Sequence, residues 1–192
     1  MLEDFIVSKT RVKLLELFLT NPGKIFHVRE LVRRVEEEIN AVRRELAHLE
    51  KRSIVTKEPR GNRLYYTMRR DYPLYYDLME IFGKTRGLGA DILKNRAKLG
   101  RIRYAAFSGR FARRAQKVDP EQVDVFIVGE IVLPELALLV RGEEARRGEE
   151  INYTVMSEDE FGFRKKRRDP FIMSILSGSR VMIVGDEEEL LK

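Results

Sequence analysis

The chain has 192 residues, with 37 Lys and Arg against 31 Asp and Glu, a formal net charge of +6. Hydrophobic residues make up 43% and charged residues 35%, which predicts a globular chain with a densely charged surface and excludes long intrinsic disorder. Zero Cys removes disulfides, thiolate metal sites and cysteine nucleophiles, and two His are too few for a histidine-built metal centre. No stretch approaches the roughly 18–20 apolar residues of a membrane span, and MLEDFIVSKTR is too acidic and too short in apolar run for a signal peptide. A cytoplasmic protein without a membrane partner is expected.

The charge is not spread evenly. Residues 39–70 hold nine basic residues against Glu45, Glu50 and Glu58, a net of +6, so the remaining 160 residues sum to zero. A basic block of this kind is the electrostatic footprint of a phosphate-binding surface. Dense Arg and Glu usage with no Cys and no Trp also suits a heat-adapted organism.

In chain order, Ser8 stands as an N-cap before Val12, Leu14, Leu15, Phe18 and Leu19, whose spacing predicts a helix ending at Asn21-Pro22-Gly23. A second helix is predicted from about His27 to Val35, with His27 as a cap or phosphate contact at its start. A third follows from about Asn40 to Arg52, with Val42, Leu46 and Leu49 as its apolar stripe and Arg43, Arg44, Glu45, His48 and Lys51 on its other faces. Two extended runs, residues 54–58 and 63–68, flank Pro59-Arg60-Gly61-Asn62, a hairpin-type turn.

Three helices and a basic-tipped hairpin give the order of a winged helix-turn-helix. IFHVRELVRRV, INAVRRELAHLEKRSIV and the PRGN turn resemble the winged-helix DNA-binding domains of ArsR-like and MarR-like transcription regulators. The resemblance implies double-stranded DNA as partner. Asn40, Arg43 and Arg44 would lie in the first turns of the recognition helix, and Lys51, Arg52, Arg60 and Arg63 would contact DNA alongside them. Arg reads guanine and Asn reads adenine through paired hydrogen bonds, each worth about 1–3 kcal/mol of discrimination. Residues 72–85 form a further amphipathic helix with Tyr75, Leu78, Met79 and Phe82 in one stripe, and in the resembling regulators a helix after the wing pairs two protomers, so a homodimer is expected. The domains are then 1–70, a linker and dimerisation helix over 71–87 with a short hinge at Lys84–Gly89, and 88–192.

Beyond the hinge the rhythm alternates: a helix at Asp91–Leu99, strands at Ile102–Phe107 and Val123–Val128, and a long helix at Leu133–Arg147. A strand at Ile151–Met156, a helix opening at Ser157, a helix at Asp169–Leu176 and a strand at Arg180–Val184 follow. The expected fold class is α+β, with an N-terminal winged helix-turn-helix, a linker helix and a C-terminal mixed-sheet α/β domain. AAFSGRFARRAQKVDPEQVDVFIVG resembles the minimal nucleotidyltransferases of the polymerase-beta-like superfamily, in which a Gly-Ser turn opens a helix and Asp-x-Asp sits on the next strand. The resemblance implies nucleotide or phosphate contacts at Ser108, Gly109, Arg110 and Arg113, and Mg²⁺ held by paired carboxylates. The motif departs from that pattern. Ser108-Gly109 is in swapped order, Gln122 stands at the first Asp position and only Asp124 at the second, and Asn152 and Thr154 occupy the place of a third carboxylate. Glu121 would lie on the face opposite Gln122 by strand alternation. Catalysis is therefore not expected, Asp124 being the one inherited candidate, with no metal or cofactor.

Two more basic clusters lie in this half: Arg101, Arg103, Arg110, Arg113, Arg114 and Lys117, and the run Arg164–Arg168, expected in a loop. A nucleotide, an RNA or flanking DNA are candidate ligands, and an exposed loop balanced by acidic neighbours is the alternative. The leading expectation is a dimeric DNA-binding regulator with an inactive second domain. The alternatives are an active, possibly antitoxin-type nucleotidyltransferase that modifies a protein or RNA, with Mg²⁺ and a nucleotide, and a winged helix that binds protein alone.

Overall fold

The computed structural model describes residues 7–116 and 119–192; Lys117 of the basic cluster, Val118 and the N-terminal six residues lie outside the described residues. The chain divides into two compact units, residues 1–79 and 80–192.

In the first unit, helix α1 (Lys9–Leu19) opens at Ser8, whose hydroxyl accepts the Arg11 amide, and buries Val12, Leu14, Leu15, Phe18 and Leu19. A two-residue strand, β1 (Phe26–His27), precedes α2 (Val28–Val35). His27 caps α2 through Nδ1, which accepts the Arg29 amide at 3.3 Å. The turn after α2 places Glu36 in the left-handed region, at φ 54°. Helix α3 (Ile39–Lys51) then starts at Glu38, whose carboxylate takes the amides of Asn40 and Ala41 at the positive end of the helix. Strands β2 (Val55–Arg60) and β3 (Arg63–Met68) form a hairpin closed by Gly61-Asn62, with Gly61 at φ 59° supplying the turn's left-handed residue. The sheet order is β1-β3-β2, all antiparallel. Three helices with this sheet make a winged helix-turn-helix.

Helix α4 (Tyr75–Thr85) carries the division between the units. Its predicted stripe is largely consumed within the chain: Tyr75, Met79 and Phe82 are buried and Leu78 half-buried, leaving Tyr76 and Ile81 exposed.

The second unit is a mixed α/β domain. Helices α5 (Gly87–Lys94) and α6 (Arg96–Leu99) replace the single helix expected over 91–99. Strand β4 (Gly100–Ser108), the one-turn α7 (Gly109–Ala112), β5 (Val125–Ile131) and α8 (Leu133–Arg147) follow. Strand β6 (Tyr153–Met156), α9 (Glu158–Lys166), α10 (Pro170–Ser177), β7 (Arg180–Val184) and α11 (Glu187–Leu191) complete the chain. The sheet runs β6-β5-β4-β7, with β5–β6 parallel and the other two pairings antiparallel. Tyr104, Ala106, Phe126, Val128 and Met182 form one face of this sheet, covered by Phe161 of α9, Ile172 of α10 and Leu190 of α11. The α+β class is as expected.

The expected hinge at Lys84–Gly89 is instead helical on both sides of Arg86. Leu88, Gly89 and Ala90 are buried, and a Cβ on Gly89 would collide with the carbonyl oxygen of Gly83. Gly89 is there for close backbone approach, whereas Gly87 supplies a left-handed residue at φ 52°. No helix among the described residues is long and apolar enough to cross a membrane.

Candidate functional site

Helix α3 sorts its residues by face. Val42, Glu45, Leu46 and Leu49 are buried, whereas Asn40, Arg43, Arg44, Ala47 and Lys51 are exposed. At 3.6 residues per turn the exposed set falls within an arc of about 100° running the length of the helix. Among the described residues, Arg43, Arg44 and Lys51 have no ion-pair partner, and neither has Arg52, the exposed C-cap of the helix. Glu45 departs from the sequence reading, which put it on the outer faces. It is 6% exposed and accepts from Arg11 Nε of α1 at 2.8 Å. Burial works to raise its pKa, but hydrogen bonds from Ser8 and Arg11 and the Arg11 charge outweigh it and hold the carboxyl below its usual value. This pair fixes the rotation of α3 against α1 and so aims the arginine face outward.

The hairpin is less free than its sequence implies. Arg60 is bound by Glu58 through two parallel hydrogen bonds of 2.9 and 3.0 Å, and its guanidinium lies 5.3 Å from the Tyr65 ring centre. Lys57 pairs with Glu50 at 2.9 Å, joining β2 to the last turns of α3. Arg63, directly across from Arg60 in the register, has no carboxylate partner among the described residues. Two arginines facing each other across a strand pair are mutually repulsive. The Glu58 pairing offsets this at one of them only.

Charge arithmetic confined to residues 39–70 misses Arg29 and Arg33. Both are exposed on α2 and have no carboxylate partner for their side chains among the described residues. The acidic stretch Glu36-Glu37-Glu38 hides them in a running sum. In space that stretch is engaged elsewhere, with Glu37 paired to Lys13 at 2.7 Å and Glu38 capping α3.

In the second unit, Ser108, Gly109, Arg110 and Arg113 lie along one cavity of about 650 Å³ that Asp124, Gln122 and Glu121 also line. Their chemistry is mostly committed. The Ser108 hydroxyl caps α7 by accepting the Phe111 amide, and the Gly109 amide donates to the Ser179 carbonyl at 2.7 Å. Arg110, with a side chain 11% exposed, forms an ion pair with Asp124, whose side chain is 1% exposed. Asp124 also accepts the Asn152 amide at 3.0 Å. Burial pushes the Arg110 guanidinium below the ordinary arginine range; Glu149 opposes this and Arg147 adds to it. The Arg113 side chain donates to the Ser179 hydroxyl at 3.4 Å and has no carboxylate partner among the described residues.

Strand β5 begins at Val125 rather than Val123, so residues 121–124 precede the strand and alternation does not apply to them. Glu121 and Gln122 accordingly line the same cavity rather than opposite faces. Asn152 donates its side-chain amide to the carbonyls of Pro120 and Gln122 and is spent on holding this segment. The residues present do not fit a Mg²⁺ ion. The one carboxylate at the inherited position is closed onto a guanidinium, and no group of three metal-ligating side chains exists among the described residues.

The basic run Arg164–Arg168 is not a loop. Arg164, Lys165 and Lys166 form the last turn of α9, where cations complement the negative end of a helix. Arg164 pairs with Glu160 at 2.7 Å, and Lys165 is bonded to the Leu190 carbonyl.

No family model matches the chain, and no curated protein matches it. A solved structure similar to this chain is that of reduced HlyU from Vibrio cholerae, 19% identical, with a TM-score of 0.35 over 43% of this chain and 82% of that one.

Proposed function

We propose that the chain is a DNA-binding regulator that reads duplex DNA with α3 and the β2–β3 wing. The observation that carries this reading is the α3 face of Asn40, Arg43, Arg44, Ala47 and Lys51, exposed along the helix and with no carboxylate among the described residues to neutralise its cations. A helix with arginines on the outer arc of its first turns can enter the major groove and donate to guanine edges. Arg29 and Arg33 on α2, with Arg52 and Arg63, supply phosphate contacts around it. Ala47, small and central, lets the helix approach closely and can contact a thymine methyl. A homodimer would set two such faces against a pseudo-palindromic site. The α4 stripe being largely buried, a pairing surface would have to lie outside it.

Selection of bound duplexes from a random pool, followed by anisotropy titration, tests the reading. The affinity is expected to fall linearly in log salt, with a slope of about −0.9 per phosphate neutralised. Arg43→Ala with Arg44→Ala is expected to lose at least about 30-fold on the selected site, two contacts at the low end of their range. Specific binding that survives this double change overturns the assignment of α3. No duplex binding at low salt points to a winged helix that binds protein alone.

We further infer that the second unit is an inactive nucleotidyltransferase-like domain. The support is the Arg110–Asp124 pair, which places a guanidinium where a metal-bound nucleotide would need a bare carboxylate. Incubation with labelled ATP and Mg²⁺ should give no label transfer to the chain, to co-purifying protein or to RNA. Transfer that disappears in Asp124→Ala would establish the alternative, an active and possibly antitoxin-type transferase.

A further inference from the structure

The run Arg164–Arg168 is unexplained by DNA reading, and three of its members border a cavity of about 700 Å³ distinct from the one at Asp124. Helix α10 stands between the two. Phe171, Ser174 and Ile175 face the Asp124 cavity, while Met173 and Leu176 face the other. The volume lies in the range of about 300–1,000 Å³ seen for small-molecule sites.

The floor of this second cavity is apolar: Tyr104 and Val128 from the sheet, Phe161 from α9, Met173 and Leu176 from α10. Val128, Tyr104 and Phe161 belong to the buried core on that sheet face, and half-buried Met173 and Leu176 pack against it and supply most of the open apolar surface. Its mouth is cationic. Lys166 and Arg168 are exposed and have no carboxylate partner among the described residues. Lys165, half-buried, is held by a backbone carbonyl rather than by an anion, and burial pushes its ammonium below the ordinary lysine range. Arg103 at the same border is already paired with Glu189 at 2.7 Å, and Glu158 is the acid among the lining residues.

Arg168 carries a further sign. It sits just past the α9 C-cap at φ 52°, a left-handed conformation that glycine adopts without strain and arginine does not.

An apolar floor beneath unneutralised cations fits a ligand with a hydrocarbon body and an anionic end. A nucleobase would find hydrocarbon, sulfur and aromatic ring where its edge needs donors and acceptors, and a bare phosphate would leave the floor empty. We propose that this cavity binds an acyl carboxylate of medium chain length, with the chain on Met173 and Leu176 over the exposed edges of Tyr104 and Phe161 and the carboxylate at Lys166 and Arg168. Because it concerns a different cavity and a different unit, it stands independently of the DNA reading.

The test is calorimetric titration of the full chain with decanoate below its micellar concentration, beside acetate and decyltrimethylammonium. Decanoate is expected to bind at micromolar to sub-millimolar concentration, acetate not at all, and the cation of equal chain length at least tenfold more weakly. Lys166→Gln with Arg168→Gly should lower decanoate affinity at least tenfold. Thermal unfolding of that variant should stay level or rise, because Gly suits the left-handed position, a combination that a merely structural role for Arg168 would not produce. Decanoate binding weaker than millimolar, equal binding of the cation, or unchanged affinity in the double variant each overturns the proposal. So does a loss confined to Arg113→Gln, which would place the anion in the cavity at Asp124.

Discussion

On α3 the guanidinium groups of Arg43 and Arg44 reach solvent with no acceptor among the described residues, whereas in the second unit Arg110 is closed onto Asp124 and buried with it. The second unit's other basic residues follow Arg110 more than Arg43. Arg103 pairs with Glu189, Arg164 with Glu160, Arg147 with Glu143, and Arg180 with Glu187. The same residue type therefore does different work in the two regions. A paired, buried arginine holds elements together, because its charge is cancelled inside a low-dielectric surrounding. An exposed, unpaired one adds little to folding and keeps its charge for a partner. Net charge per segment cannot tell these apart, since the partner of Arg110 lies fourteen positions away and that of Arg103 lies eighty-six.

The contrast predicts opposite outcomes for like substitutions. Asp124→Ala leaves the Arg110 guanidinium buried without its counter-charge, and is expected to cost about 3–5 kcal/mol in urea unfolding of the full chain. Arg110→Met with Asp124→Leu should recover much of that loss, because two apolar side chains of similar volume restore packing without a lone charge. Arg44→Ala, at an exposed position, should change stability by no more than about 0.5 kcal/mol. A large stability loss at Arg44, or none at Asp124, would erase the distinction between the two regions.

A second break concerns the junction between α4 and α5. Were Lys84–Gly89 a hinge, Gly89→Ala would be neutral or slightly stabilising. With the Gly83 carbonyl where the new methyl must go, it should instead destabilise by about 1–3 kcal/mol, read in the same unfolding experiment.

These cases show which features were legible in the sequence. Helix α8 was, from Leu133 to Arg147, because Pro134 in its first turn and Gly148 after its last mark both ends by local chemistry. Strand β7 and the Ser157 cap were legible for the same reason. Strand β1 was not, because two residues carry no periodicity and exist only through pairing with Tyr65 and Tyr66. Gly89 reads as flexibility because close packing needs a neighbour, here the Gly83 carbonyl, that sequence spacing does not reveal. At the candidate sites, the exposure of Arg43, Arg44 and Lys51 on α3 followed from helical spacing, whereas Glu45, placed with them by the same spacing, is buried against Arg11. The cancellation of Arg60 by Glu58 and of Asp124 by Arg110 required coordinates.

Glu45 links stability to orientation within the first unit. Its folded pKa lies below the ordinary value of 4.5, so its contribution is complete above that pH and is lost as pH falls through the folded pKa. Glu45→Gln should therefore destabilise at pH 7 by about 1.5–3 kcal/mol, the worth of a hydrogen bond to a charged group. The gap between variant and native chain should narrow below pH 4.5, measured as melting temperature across pH 3–7. A gap that stays constant with pH would mean that packing, rather than the Arg11 pair, holds α3 in place.

The smallest effect lies at the wing, where the comparison can be made between two arginines on one hairpin. Arg63 has no carboxylate partner among the described residues, so neutralising a phosphate with it releases counterions without breaking an ion pair. Arg60 must first give up Glu58, and its gain is reduced by that lost pair. Arg63→Ala is accordingly expected to reduce the salt slope of duplex binding by about 0.9, one phosphate contact, and Arg60→Ala by less. Removing the competitor reverses the order of the two: in Glu58→Gln, Arg60 becomes free, the slope should steepen, and Arg60→Ala in that background should cost as much as Arg63→Ala does in the native chain. Equal slopes for Arg60→Ala with and without Glu58 would show that the pair opens freely on DNA. The wing would then count as two available cations rather than one.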